Sequence, residues 1–483
     1  MKDALLDARR LVRVALIAAI PMELLLRAIP GVNVPLALIA VTAALLAAVG
    51  PSQDGTWRTR AALCGVVLAM ASIFAIRSES MLWLAAFVGT VATLGLIGLP
   101  DVRTLWRAEP IGVALRGLRV LAESAAGPLL LVQRGVAWPR ASGKRAHLRG
   151  LAWSVPVVVP FLLLFGSADP ILGNALTDLL DVPQLATHLA FWFALAWVGI
   201  GWLTAVHLPA RGVALEASPV SARETLWVLA VLAVVFDVFV ALQLRWFFGG
   251  DDLPRYMSGV TYAEYARRGF FELVAVAALL LAVLLVADWT TRKATRDERR
   301  QFRLLATLLL AFLAVVLVSA VQRMGLYVEV YGLTELRFFT MAFMIWLAVV
   351  FAWFAATTLR GVRDRFAAGV YVSGASAVLL LAAINPVARI TQHNLEHLAA
   401  GGDFDVGHAL GMSADAVPVL VAGLDRLEPA ERCVLATNLL ARFAGDPRPE
   451  DVDWRSWNYA RQRARDVVAD ARGSLEGACM PAS

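Results

Sequence analysis

The chain has 483 residues, 59% of them hydrophobic and only 17% charged, and 44 Lys and Arg stand against 38 Asp and Glu. A soluble domain runs near 45–50% apolar and about 25% charged, so this balance argues against an ordinary soluble fold. The net charge of +6 lies between apolar blocks rather than on one soluble face, which argues against a nucleic-acid partner.

The apolar blocks are roughly 17–22 residues long, the length of a bilayer span. Lipid offers no hydrogen-bond partners, so such blocks are helices, and the alternating pattern of an outer-membrane barrel is missing. The predicted fold is all-α: a polytopic transmembrane bundle of about eleven spans with a small helical C-terminal extracytoplasmic domain. The spans are 14–29, 33–50, 61–76, 81–99, 150–166, 188–206, 225–244, 270–290, 304–321, 338–356 and 368–384. They divide the chain into four spans (1–100), a basic cytoplasmic segment (101–149), seven spans (150–385) and a soluble tail (386–483). Residues 1–13 are basic, but no small-residue cleavage site follows, so the first block is read as a retained span. With the N-terminus in the cytoplasm, the cytoplasmic segments carry 26 Lys and Arg. The external loops carry 6, or 8 with Arg27 and Arg245 at outer span ends. An odd number of spans then puts the tail outside.

Taken in order, the first span is interrupted by Pro21, Glu23 and Arg27, and Glu23 and Arg27, four apart, can neutralise each other. Cys64 reads as a small packing residue. Small residues every fourth position, at Ala85, Gly89 and Thr93 and at Gly369, Ser373 and Ala377, permit close helix contact within the chain. In the 101–149 segment, Leu105, Leu115, Leu118 and Val120 interleave with Arg103, Arg107, Arg116 and Arg119. That mixture suits either an amphipathic helix on the anionic lipids of the inner leaflet or a plain basic loop. Asp237, inside the seventh predicted span, is the clearest intramembrane charge and the residue a proton- or ion-coupled transporter would use.

The densest polar grouping falls on the outer side. Gln243, Arg245, Tyr262, Tyr265, Arg267, Arg268 and Glu272 flank one loop, and Arg323, Tyr327, Tyr331, Glu335 and Arg337 the next. Asn385, Arg389 and Asn394 follow the last span. Arg, Tyr and Glu together can bind an anionic headgroup, a peptide or a partner helix, or can brace the loops as ion pairs and an aromatic belt.

The tail holds 10 Arg and 14 Asp or Glu. Ser413 suits a helix N-cap and Pro429 a first helical turn. Leu435, Leu439, Leu440 and Phe443 recur at helical spacing, as do Trp457, Ala460, Ala464 and Val467, so three or four short amphipathic helices are predicted. Cys433 and Cys479 share the tail, and whether they bond depends on geometry. His393 and His397 with Glu396 fit an H-x-x-E-H metalloprotease template, but a catalytic zinc needs a third protein ligand. No phosphate loop, dinucleotide fingerprint or nucleophile elbow is present in the sequence, and no cofactor is predicted.

The loop motifs carry a resemblance. They are Phe165-Gly166-Ser167-Ala168-Asp169-Pro170, Gln243-Leu244-Arg245 leading to Phe248-Gly249-Gly250, and Tyr262-Ala263-Glu264-Tyr265-Ala266-Arg267-Arg268-Gly269-Phe270. Tyr331-Gly332-Leu333-Thr334-Glu335-Leu336-Arg337, Asn385-Pro386 with Asn394, and Ser413-Ala414-Asp415-Ala416-Val417-Pro418 follow. Over roughly residues 150–425 the chain resembles bacterial multi-pass membrane proteins of the domain-of-unknown-function family numbered 4173, related to the family numbered 4153. The resemblance implies a bacterial inner-membrane protein and brings no activity, and its pattern does not require histidines at both 393 and 397. The leading reading is a non-enzymatic sensor or scaffold that meets an envelope or signalling protein through its outer loops and tail. A transporter using Asp237 is the second reading, and a metalloenzyme using His393, Glu396 and His397 the third.

Overall fold

A computed structural model of the protein describes residues 2–49, 56–97, 110–127, 129, 183–207, 221–247, 270–445 and 453–479. Among these residues every regular element is helical. In the membrane part, α1 is Lys2–Leu26, α2 Asn33–Val49, α3 Thr56–Ile76, α4 Ser80–Ile97, α5 Pro110–Ala126 and α6 Pro183–His207. Then come α7 Ala222–Phe247, α8 Phe270–Thr290, α9 Arg296–Tyr331, α10 Glu335–Thr357 and α11 Phe366–Ile384. The tail adds α12 Pro386–Ala399, α13 Val406–Gly411, α14 Val417–Gly423, α15 Pro429–Phe443, α16 Tyr459–Asp470 and α17 Arg472–Gly477.

Seven stretches among the described residues are long and apolar enough to cross a membrane, in α3, α4 and α7 to α11. Each overlaps a predicted span. The remaining predicted spans fall on α1, on α2 and α6 with their shorter apolar stretches Asn33–Ala44 and Phe191–Ala205, and on 150–166, which lies outside the described residues. The first span is a continuous helix with Pro21 inside it.

Two groups of helices result. In one, Leu11 and Ala15 of α1, Cys64 and Val67 of α3, Ile97 of α4 and Leu203 of α6 share a buried core, so Cys64 is the packing residue its position predicts. In the other, Leu229, Leu284, Leu309, Leu313, Val350 and Phe354 unite α7 to α10. Helix α11 packs against α10 on one side and against α3 and α4 on the other. Small residues make that fit. A side chain at Gly369 would collide with the Trp353 ring, Trp346 donates to Ser373 at 3.2 Å, and Thr93 meets the Tyr371 hydroxyl at 3.1 Å. Both small-residue stripes therefore serve contacts within the chain.

Of the basic 101–149 segment, residues 110–127 and 129 are described. Val120 and Ser124 of α5 are buried, while Leu115, Leu118 and Leu121 are exposed beside Arg116. Leu105, Arg103 and Arg107 lie outside the described residues.

The tail has its own core, formed by Val387, Ile390, Leu420, Leu435, Leu439, Ala464 and Val468 among others. Its described residues contain six short helices where three or four were predicted. Pro429 opens α15 as expected. Ser413 sits at the cap position of a 3-10 turn, Ala414–Ala416, but its side chain makes no capping bond. In α16 the buried face is Ala460, Ala464 and Val468, a strict four-residue spacing, so Val467 lies off it and Trp457 is exposed. Cys433 and Cys479 are bonded, tying α15 to the residues after α17 with their Cα atoms 4.6 Å apart.

Candidate interaction site at the tail–membrane junction

Three turns between membrane helices meet the tail, each through polar groups that a turn leaves unpaired. The first lies between α1 and α2. Asn33 organises it, accepting from the Gly31 amide at 2.7 Å and donating to the Leu25 and Ala28 carbonyls. The tail then adds a backbone bond from the Val32 amide to the Trp457 carbonyl at 2.8 Å. Arg461 donates to the Pro30 carbonyl at 2.9 Å and Arg455 to that of Leu24. A Cβ on Gly31 would stand 2.5 Å from the Trp457 carbonyl oxygen, so only glycine admits this approach.

The second turn, Arg77-Ser78-Glu79, joins α3 to α4. Asp415, 4% exposed, accepts from the Ser78 amide at 2.7 Å and the Ser78 hydroxyl at 2.9 Å and pairs with Arg77 at 3.2 Å. Arg77 also donates to the Ala382 carbonyl at the end of α11. Asn458 closes the turn by donating to the carbonyls of Phe74 and Arg77, both at 2.8 Å. Glu79 is buried and accepts from the Met81 amide at the start of α4. Burial pushes its carboxyl above the usual range; the Met81 amide opposes that, and the Glu335 and Asp415 carboxylates add to it.

The third turn, Gly332-Leu333-Thr334, joins α9 to α10. Asn394 reads it like an opposing strand, accepting from the Leu333 amide at 2.7 Å and donating to the Leu333 carbonyl at 2.8 Å. Gly332 takes a φ of +69°, a conformation L side chains rarely adopt. Glu335 pairs with His408 at 3.2 Å. The bond to Glu335 raises the His408 pKa, against its burial. Arg337 lies 4.0 Å from the centre of the Tyr327 ring, which in turn packs on Tyr331.

Part of the predicted outer cluster is thus brought together: Tyr327, Tyr331, Glu335, Arg337 and Asn394 converge at the third turn. Arg323 lies one helical turn before Tyr327 on α9. Asn385 is the left-handed joint (φ 52°) between α11 and α12, and Arg389 is exposed on α12. The side chains of Gln243, Arg245 and Glu272 and the residues Tyr262, Tyr265, Arg267 and Arg268 lie outside the described residues. Glu23 and Arg27 pair as expected at 3.5 Å, and His188 of α6 joins Glu23. Asp237 is exposed on α7 beside Val234, Val235 and Val238, and no partner is found for it among the described residues. On α12, Glu396 is bonded by Gln392 at 2.9 Å and the His397 ring packs against Gly402. Among the described residues, no group of three or more candidate ligands forms around His393 and His397.

Sequence reasoning missed Arg77, Ser78, Glu79, Asp415 and Asn458, and also Asn33, His408, Arg455 and Arg461. Asp415 stood inside a quoted motif, but Arg77 is 338 positions away, and no local pattern links them. Chemically, the junction's polar atoms serve one another and hold the tail on the three turns.

The family model described as "Domain of unknown function (DUF4153)" matches residues 35–423. The expected family was the one numbered 4173; the match is to the one numbered 4153, and it begins far upstream of the 150–425 stretch. No curated protein and no solved structure matches the chain.

Proposed function

The chain belongs to the family named domain of unknown function (DUF4153), and from its geometry we propose a non-enzymatic sensor or scaffold of the bacterial inner membrane. The tail is its receiving element, meeting an envelope or signalling protein, and the spans carry the response. One observation supports this above the rest. The tail is bonded to turns from both helix groups, so a partner that moved it would act on both at once.

Eleven spans, with N-terminus inside and tail outside, remain our reading. Parity supports it: the turns at 77–79 and 332–334 touch one tail, so an even number of crossings separates them. Helices α4, α6, α7, α8 and α9 supply five, and we read the apolar run 150–166, outside the described residues, as the sixth. The Cys433–Cys479 bond suits an oxidising compartment and supports the same side for the tail.

The test uses the full-length protein with Asp415→Ala. Leaving Arg77 uncompensated at a site where the Asp415 side chain is 1% exposed costs about 3–5 kcal/mol. The variant is expected to insert normally, to open the buried 414–417 segment to protease, and to lose the envelope protein crosslinked by wild type. Unchanged capture, or a proteoliposome ion flux abolished by Asp237→Asn, would overturn the reading.

A further inference from the structure

At the end of the bundle away from the tail, α8, α9 and the turn after α10 line a half-open hollow of about 130 Å³. Roughly 10–15 Å³ suffices for one water, so a tetrahedral oxyanion fits. Its walls include Arg299 and Arg303, one turn apart on α9, and Arg360 and Arg363 from the turn between α10 and α11. The lining carboxylate is Asp288, and it is paired with Arg363 at 3.3 Å. Arg303 and Arg360 have no carboxylate partner among the described residues, so the hollow keeps a strong positive excess.

Basic residues at span ends are ordinary, but they usually reach water separately. Here four arginines line one half-open hollow, Arg299 and Arg363 partly buried and Arg303 and Arg360 exposed. The Thr358 hydroxyl is buried in the same wall and has no hydrogen-bond partner among the described residues. A buried hydroxyl without a partner is costly. An oxyanion would accept from it and from the planar forks of Arg303 and Arg360 together.

We infer that this hollow binds a phosphate-bearing anion, supplied either by a phospholipid headgroup or by free phosphate. The site needs no particular membrane orientation and stands apart from the tail junction, so its failure leaves the sensor reading untouched.

The test is thermal unfolding of the purified full-length protein in uncharged detergent, titrated with short-chain phosphatidylglycerol and separately with inorganic phosphate. Wild type should be stabilised saturably. Arg303→Gln with Arg360→Gln should weaken the response about tenfold or more, since each lost charge-assisted bond is worth roughly a factor of ten. An unchanged unliganded midpoint shows that the double variant folds. If that midpoint falls, the Lys pair, which keeps the charge but loses the fork, should bind with intermediate strength. Stabilisation by phosphate assigns a soluble anion; stabilisation by phosphatidylglycerol alone assigns a lipid. No saturable response to either probe, or an equal response in the double variant, overturns the site.

Discussion

Glu79 is a carboxylate buried between two others, and its protonation is linked to docking of the tail. Burial raises its pKa, the Met81 amide opposes the rise, and Glu335 and Asp415 add to it. His408, on the tail side of the same junction, is also raised, through its bond to Glu335 and the Asp405 charge, with burial and Arg337 opposing. A group whose folded pKa is raised stabilises fully below its unfolded pKa and loses that contribution as pH climbs through the folded value. The unfolded values are about 4.3 for Glu and about 6.5 for His. The contributions of these two groups are therefore expected to weaken docking as pH rises, in two stages, the upper one beginning above about pH 6.5. Deuterium uptake by residues 405–417, corrected for intrinsic exchange, should rise with pH. His408→Gln should flatten the upper stage and Glu79→Gln the lower. Uptake that falls as pH rises would contradict both assignments. None of this can be read locally, because the carboxylates that act on Glu79 come from α10 and the tail.

Helix positions were far more legible than helix partners, because periodicity reports which face is apolar and not what covers it. The predictions at 61–76, 81–99 and 225–244 each fall on one helix, α3, α4 and α7. Helix α9, predicted at 304–321, runs instead through 36 residues, or about 54 Å against a hydrocarbon core of roughly 30 Å. Its start is fixed by a capping box between Thr295 and Glu298, a T-x-x-E signal present in the sequence but not used. The mixed pattern of 101–149 allowed either a helix or a plain loop; α5 is a helix, and its fit against α6 is set by one glycine. A Cβ on Gly201 would stand 2.5 Å from the Ser124 carbonyl and 2.8 Å from the Gly127 Cα. Gly201→Val should therefore lift α5 from α6 and cost about 1–3 kcal/mol. Gly199→Ala is its control, because the added carbon would lie 3.6 Å from the Ala15 methyl, an ordinary contact. Thermal midpoints of the two purified variants decide it: equal midpoints would mean that α5 docks elsewhere.

Across the whole molecule, the tail spans the two helix groups, and its disulfide divides its anchors into two sets. Asn394, His408 and Asp415 precede Cys433, whereas Arg455, Trp457, Asn458 and Arg461 lie inside the loop that Cys433 and Cys479 close. Opening that loop, 46 positions long, should cost the tail about 2–4 kcal/mol through the freedom regained by the unfolded chain. The loss falls on residues within the loop. Val387, Ile390 and Leu395 keep their packing on α14, and Asn394 keeps its two bonds to Leu333. Reduction, or Cys433→Ser, should thus free the tail from the α1–α2 turn first while the bonds at 333–335 persist. Segment-resolved exchange on the full-length protein, with and without reductant, separates the outcomes. Protection lost at residues 28–34 and 455–461 but kept at 385–399 fits the divided anchor. Uniform loss would mean that the tail detaches as one unit and that its disulfide secures every anchor alike.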